Sequence, residues 1–183
     1  MKEQTKRFIA YLNLLDERID SGQFGSRIKA QKLAYILQKL TGNVLYDDFN
    51  FYIRGPYSRE LAKEYFDFRD DFVEGRSGYV LTNEEREELE RTASLLRSLD
   101  QEALEILASL LYLKDKRGMD ENQAEAKLHE LKPHLKQESI WRGMNTLKKL
   151  LLTDKLRIAL MTSVGKEMED WDRISSESLR TLE

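Results

Sequence analysis

Apolar residues recur every three to four positions along most of this chain, and in one short stretch they alternate with polar ones instead. That pattern predicts a set of helices interrupted by a small extended segment. Phe8, Ile9, Leu12, Leu15 and Ile19 define a first amphipathic helix from Glu3 to Ile19, ending before Ser21-Gly22. Ser26 is the expected cap of a second helix, with Leu33, Ile36, Leu37 and Leu40 facing inward and Gly42 closing it. Val44 to Tyr46 reads as a brief extended piece. The alternation falls in FNFYIRGPYSREL, Phe49 to Leu61, where Phe51 and Ile53 alternate with Tyr52 and Arg54 as in a half-buried strand. Gly55-Pro56 is expected to end that strand in a stiff turn, since proline fixes its own φ and restricts the residue before it. Ser58 then caps a third helix that carries Leu61, Ala62, Tyr65 and Phe66 on one side and runs to Asp70 or Asp71.

Beyond it, Phe72-Val73 and Tyr79-Val80-Leu81, separated by a turn at Gly75 to Gly78, predict a second hairpin. Thr82 followed three residues on by Glu85 is a capping-box signature for a helix reaching Leu96. The order of these elements is that of a winged helix-turn-helix. After Asp100 the pattern is purely helical: an apolar helix through Ala103, Leu104, Ile106, Leu107, Leu110 and Leu111, then a turn at Lys116 to Met119. Asp120 caps a helix from Glu121 to Leu131 that Pro133 closes. A further helix starts near Ser139 with Ile140, Trp141, Met144, Leu147, Leu150 and Leu151 inward. Asp154 to Val164 fits either a helix or a strand, and Met168, Trp171, Ile174, Ser178 and Leu182 fit a last amphipathic helix. The expected fold is mainly α: a winged-helix-like lobe with a small β-sheet over residues 1–82, and a helical bundle over 83–183.

Composition narrows the class. The 183 residues are 34% charged and 40% hydrophobic, which suits a globular chain with a real core. The absence of cysteine excludes disulfides, thiolate zinc sites and a cysteine nucleophile, and fits a reducing compartment. No apolar run approaches the ~20 residues of a membrane span, and MKEQTKRF leads into an amphipathic helix rather than an apolar signal segment, so a cytoplasmic location is expected. A net charge of -3 argues against a surface that grips nucleic acid as a whole.

Three chemistries are conceivable for these residues. The corner at Arg54, Tyr57 and Ser58 could present a phosphate- or peptide-binding helix N-terminus, or it could only set the angle between strand and helix. Arg27, Lys29, Lys32 and Lys39 flank the second helix and could line a phosphate backbone, but the following helix carries Glu60, Glu64, Asp67, Asp70 and Asp71, which would repel DNA. Catalysis is not expected. The two histidines, His129 and His134, have no zinc-helix spacing, carboxylate pairs such as Glu84/Glu88 sit on an exposed face, and no phosphate loop or nucleophile elbow occurs. Trp141 and Trp171 are candidate partner contacts, Trp171 being the better one for a homodimer.

Two segments taken together resemble a known family. RIKAQKLAYILQ, Arg27 to Gln38, followed by FYIRGPYSREL, Phe51 to Leu61, is similar to the pattern of the YwgA-like family, a QKLxYLLQ helix and then an aromatic strand ending in YGPYSxEL. Arg54 stands where that pattern carries tyrosine. The similarity extends weakly through LASLLYLKDKRGMDENQAEAKLHELKP, covering about Glu3 to Leu151. More distantly, the motifs resemble the Panacea or SocA-like antitoxin domain. The resemblance implies a binding protein, antitoxin-like or adaptor-like, and supplies no catalytic residue; no cofactor or metal is expected. Its implied partner is a protein, with a winged-helix DNA-binding regulator as the alternative. The candidate binding residues are Gln31, Lys32, Tyr35, Arg54, Gly55, Pro56, Tyr57 and Ser58.

Overall fold

The computed structural model describes residues 1–150, so the alternatives drawn for Asp154 to Val164 and the final helix with Trp171 fall outside the described residues. The described chain is mainly helical with one two-stranded sheet. Its elements are α1 (Glu3–Leu14), α2 (Phe24–Thr41), β1 (Asn50–Tyr52), β2 (Gly55–Tyr57), α3 (Arg59–Asp67), α4 (Arg69–Glu74), α5 (Asn83–Arg97), α6 (Gln101–Arg117) and α7 (Glu121–Leu131). A further helix, α8, occupies 137–150. Met1–Asn145 form one compact unit. The lobe boundary expected at 82–83 falls inside this unit, because α6 packs on both α2 and β2.

Local chemistry accounts for most element ends. Ser58 accepts a hydrogen bond from the Leu61 amide, Thr82 and Glu85 form a complete capping box, and Asp120 forms another with Gln123. Each satisfies helix-start amides that have no intrahelical acceptor. Gly42, Gly75 and Gly118 end their helices with left-handed backbone.

Several sequence expectations are corrected by tertiary packing. The first helix stops at Leu14 rather than Ile19. Asp16 turns left-handed there, and Arg97 donates to the freed carbonyls of Leu14 and Leu15 at 2.5 and 3.2 Å. The second helix starts at Phe24 with Gln23 at its cap, while the Ser26 hydroxyl accepts from the Asp20 amide. Most consequentially, there is no hairpin at 72–81. Phe72 lies within α4 with its ring against Phe8, and Gly75 is the closing residue of that helix rather than part of a hairpin turn. Tyr79 sits in an irregular segment, its hydroxyl donating to Glu85 and its ring beneath Arg7. The wing of the expected winged helix is therefore missing from the place assigned to it. The sheet lies earlier, where β1 pairs antiparallel with β2, Phe51 opposite Pro56 and Tyr52 opposite Gly55. Gly55-Pro56 thus opens a second strand instead of merely ending the first. Trp141 points outward at 59% exposure, while its neighbours Ile140 and Met144 are buried.

α2 is the central element, in contact with α3, α5, α6 and β2. An aromatic chain runs beside it: Phe8 to Tyr46, Tyr46 to Phe49, Phe49 to Tyr35, Tyr35 to Tyr112 and Tyr112 to Phe51, with centroids 5.0 to 6.4 Å apart. Such offset and edge contacts add to the area that the rings bury.

Gly55 has φ 88°, and a Cβ there would collide with the Ser109 hydroxyl. Gly55→Ala should lower unfolding free energy by about 2–4 kcal/mol, combining backbone strain with overpacking. In urea titrations, Ser109→Ala should recover the steric part of that loss in the double variant and leave the strain. Full tolerance of Gly55→Ala would refute this reading of the turn.

Candidate functional site

The two motif segments meet through three side chains of α2. The Gln31 amide holds the backbone of Ser58 from both sides: its Nε2 donates to the Ser58 carbonyl at 2.9 Å and its Oε1 accepts from the Ser58 N–H at 2.7 Å. The adjacent Lys32 reaches further back along the hairpin, its Nζ donating to the Pro56 carbonyl at 2.7 Å. Two turns on from Gln31, the Gln38 Oε1 accepts from the amides of Leu45 and Tyr46 at 3.2 and 3.1 Å. Buried backbone groups outside regular structure need such partners.

Around this junction lies a cavity of about 470 Å³. α2 contributes Phe24, Arg27, Ile28, Gln31 and Lys32 to its wall. The hairpin contributes Tyr52 to Gly55 and Tyr57, and α3 contributes Tyr65 and Phe66. Of the candidate binding residues, Gln31, Lys32, Arg54, Gly55 and Tyr57 therefore come together in one cavity. Tyr35, Pro56 and Ser58 do not line it. The Tyr35 ring is fully buried between Phe49 and Tyr112, with its hydroxyl donating to Asp115 at 3.2 Å. Tyr57 packs on Tyr52 with centroids 5.3 Å apart, rather than on Tyr35. Pro56 and Ser58 are buried supports whose backbone is held by α2.

Sequence reasoning missed Phe24, Ile53 and Phe66 as site residues. All three are exposed, Ile53 at 89%, and with Tyr52 they form the cavity's rim. Phe66, expected on one side of α3 with Leu61, Ala62 and Tyr65, is exposed while Leu61 and Tyr65 are buried. Arg27 bridges the rim: its guanidinium lies 5.4 Å from the Phe24 ring centroid and 5.9 Å from that of Phe66, and it donates to the Ser21 carbonyl.

The electrostatics are lopsided. Among the described residues, Arg27, Lys32 and Arg54 line the cavity and no acidic residue does. Behind the hairpin, Lys132 is buried and donates to Glu105 at 2.5 Å and to the Ile53 carbonyl at 2.6 Å. Arg54 lies 3.7 Å from the other Glu105 oxygen. One carboxylate thus faces three cations. Burial pulls the Lys32 ammonium down from its ordinary value to about 7; Glu105 opposes that fall, while Lys132 and Arg54 add to it.

The lysines of the α2 flank have partners or are buried. Lys32 is buried, Lys29 pairs with Glu17, and Lys39 pairs with Asp115. Among the described residues no group of three or more acidic or histidine side chains could hold a metal ion, and no helix is long and apolar enough to cross a membrane. No protein-family model matches the chain, and no curated protein or solved structure matches it.

Two outcomes follow from these charges. Glu105→Gln should cost about 3–5 kcal/mol by leaving Lys132 buried without a counter-charge, whereas Glu105→Leu with Lys132→Met should fall near wild type; denaturant melts of the three proteins measure it. Lys32 gives a pH signature. With its folded value near 7 and its unfolded value at 10.5, the unfolded chain binds more protons between them. Stability from this group accordingly rises from pH 7 toward 10 and is lost again as pH falls to 7. The stability of wild type relative to Lys32→Met should increase from pH 7 to 9; a constant difference would show that Lys32 does not titrate there.

Proposed function

We propose that this chain is a non-catalytic binding protein, antitoxin-like or adaptor-like in kind, that captures a segment of a protein partner in the cavity between α2, the hairpin and α3. One observation carries the reading: Phe24, Tyr52, Ile53 and Phe66, all exposed large apolar side chains, gather at the rim of a single cavity. Exposed apolar residues are ordinary when scattered and informative when clustered. Aromatic anchors with arginine beside them are also the composition of interface hot spots.

Charge states what the segment carries. A wall with Arg27, Lys32 and Arg54 and no acid complements an apolar peptide bearing negative charge. The resemblance of the α2 and GPYS motifs to the YwgA-like family, and more distantly to Panacea-like antitoxin domains, supports the same class. The DNA-binding alternative has less support, since Lys29, Lys32 and Lys39 of α2 are buried or ion-paired and the exposed Asp67 of α3 would repel phosphate.

Panning a displayed random-peptide library on the full chain tests the proposal, with the Ile53→Asp/Phe66→Asp variant as counter-selection. Enriched peptides should carry aliphatic or aromatic anchors with acidic neighbours, and should lose at least tenfold in affinity on the variant. Equal binding to both proteins, or duplex DNA binding that falls steeply with salt in the absence of peptide enrichment, would overturn it.

A further inference from the structure

We propose that the inner end of this cavity is a carboxylate-binding subsite centred on the Lys32 ammonium, with Arg54 beside it. The inference rests on the protein-binding reading above and names the group by which the captured segment is read. Lys32 is 2% exposed, yet it lines the cavity, and its one hydrogen bond among the described residues goes to the Pro56 carbonyl. An ammonium has three donors, so two remain to be satisfied. The adjoining Ser109 hydroxyl is fully buried and has no hydrogen-bond partner. It abuts Gly55, as does Lys32, whose Nζ would lie 3.7 Å from a Cβ at that glycine. A buried cation with spare donors, beside an unpartnered hydroxyl, is a place where an anion gains more than it would in water.

The groups facing Lys32 come from every side. Glu105 on α6 is the single acid, already shared by Lys132 after α7 and Arg54 in the hairpin turn. Arg27 on the same helix, Tyr57 on β2 and Tyr65 on α3 line the cavity. A carboxylate would supply Lys32 with the acceptors that Glu105 gives to Lys132, while the apolar rim holds the hydrocarbon next to it. The group is either a chain's terminal carboxylate or an Asp or Glu side chain.

Because a carboxylate engages the charged amine, binding takes up a proton wherever free Lys32 is neutral. With the free value near 7, affinity is greatest below pH 7 and falls about tenfold per unit above it, until bound Lys32 also titrates.

The test titrates the full-length protein, by amide NMR and calorimetry, with 3-phenylpropionate and 3-phenylpropionamide. Three peptides follow: N-acetyl-Gly-Leu-Phe with a free carboxylate, the same peptide amidated, and N-acetyl-Asp-Leu-Phe-amide. Phenylpropionate should bind at least tenfold more tightly than its amide, perturb the Gly55 and Tyr57 amides, and show proton uptake in buffers of different ionisation enthalpy at pH 7.5. Preference for the free terminus or for the Asp peptide assigns the source. Lys32→Met should abolish the acid-over-amide preference; Arg54→Met, at an exposed site, should reduce it if the lysine variant does not fold. Acid and amide binding alike, or affinity unchanged between pH 6 and 9, would overturn the subsite and leave a purely apolar groove for the partner. If phenylpropionate binds as described but the library yields no peptide, the subsite stands and the protein-binding reading falls.

Discussion

The described structure depends on how α2 treats the chain between Leu45 and Ser58. That chain makes only a three-residue ladder with itself, so many of its amides and carbonyls would be buried without acceptors or donors. Each such group costs about 1–3 kcal/mol if left unpaired. α2 removes the cost with Gln31, Lys32 and Gln38, all buried, which hold Ser58, Pro56, Leu45 and Tyr46 through their backbones. A purely apolar face on α2 would pack against these segments and leave their polar groups stranded. The polar residues therefore do more than tolerate burial: they fix the register in which the hairpin crosses the helix.

That register makes the cavity. With β2 tied to α2 at residues 56 and 58, the turn at Ile53-Arg54 projects past the helix instead of lying on it. Ile53 is left in solvent, and α3, started by Ser58 immediately after the tie, presents Phe66 across the gap. The same tie brings Lys32 close to Lys132, since both ammoniums satisfy hairpin carbonyls, at Pro56 and Ile53. Two lysines used as backbone donors need neutralisation, and α6 provides only Glu105. The positive surplus of the site is thus a consequence of how the hairpin is anchored.

The sequence disclosed the parts of this arrangement that are local. Ser58, the Thr82-Glu85 box, Asp120 and Gly42 all act within a few residues of themselves, and each is where its pattern puts it, whereas the expected strand alternation holds for Phe51 and Tyr52 and breaks at Ile53, which lies exposed in the turn. The errors arose where distant residues decide. Gly75 fits a hairpin turn and a helix end equally well; burial of Phe72 against Phe8 selects the helix. Arg97, some eighty residues away in sequence, ends α1 at Leu14 through hydrogen bonds at a separation of 82 to 83 residues. The cavity's outline was legible through Gln31, Lys32, Arg54, Gly55 and Tyr57, but its rim was not. An apolar residue at helical spacing reads as core, and Phe24 and Phe66 differ from core residues only in having nothing packed over them.

Satisfaction of buried charge separates scaffold from site within one molecule. Glu85 is buried and accepts from the Tyr11 and Tyr79 hydroxyls, from Asn43 and from its own cap amide, with Arg7 at 3.3 Å. Four hydrogen-bond donors and an ion pair on one carboxylate fill it, and the arrangement ties α1, the 76–82 segment and α5 together. Lys32 is as deeply buried and has a single acceptor. The same fold thus saturates one buried ion and leaves another, at the wall of the cavity, with spare donors. Desolvation without compensation is costly wherever it occurs. At Lys32 that cost falls beside an apolar rim, and this pairing of spare donors with exposed hydrocarbon is the physical basis of the proposed anionic subsite.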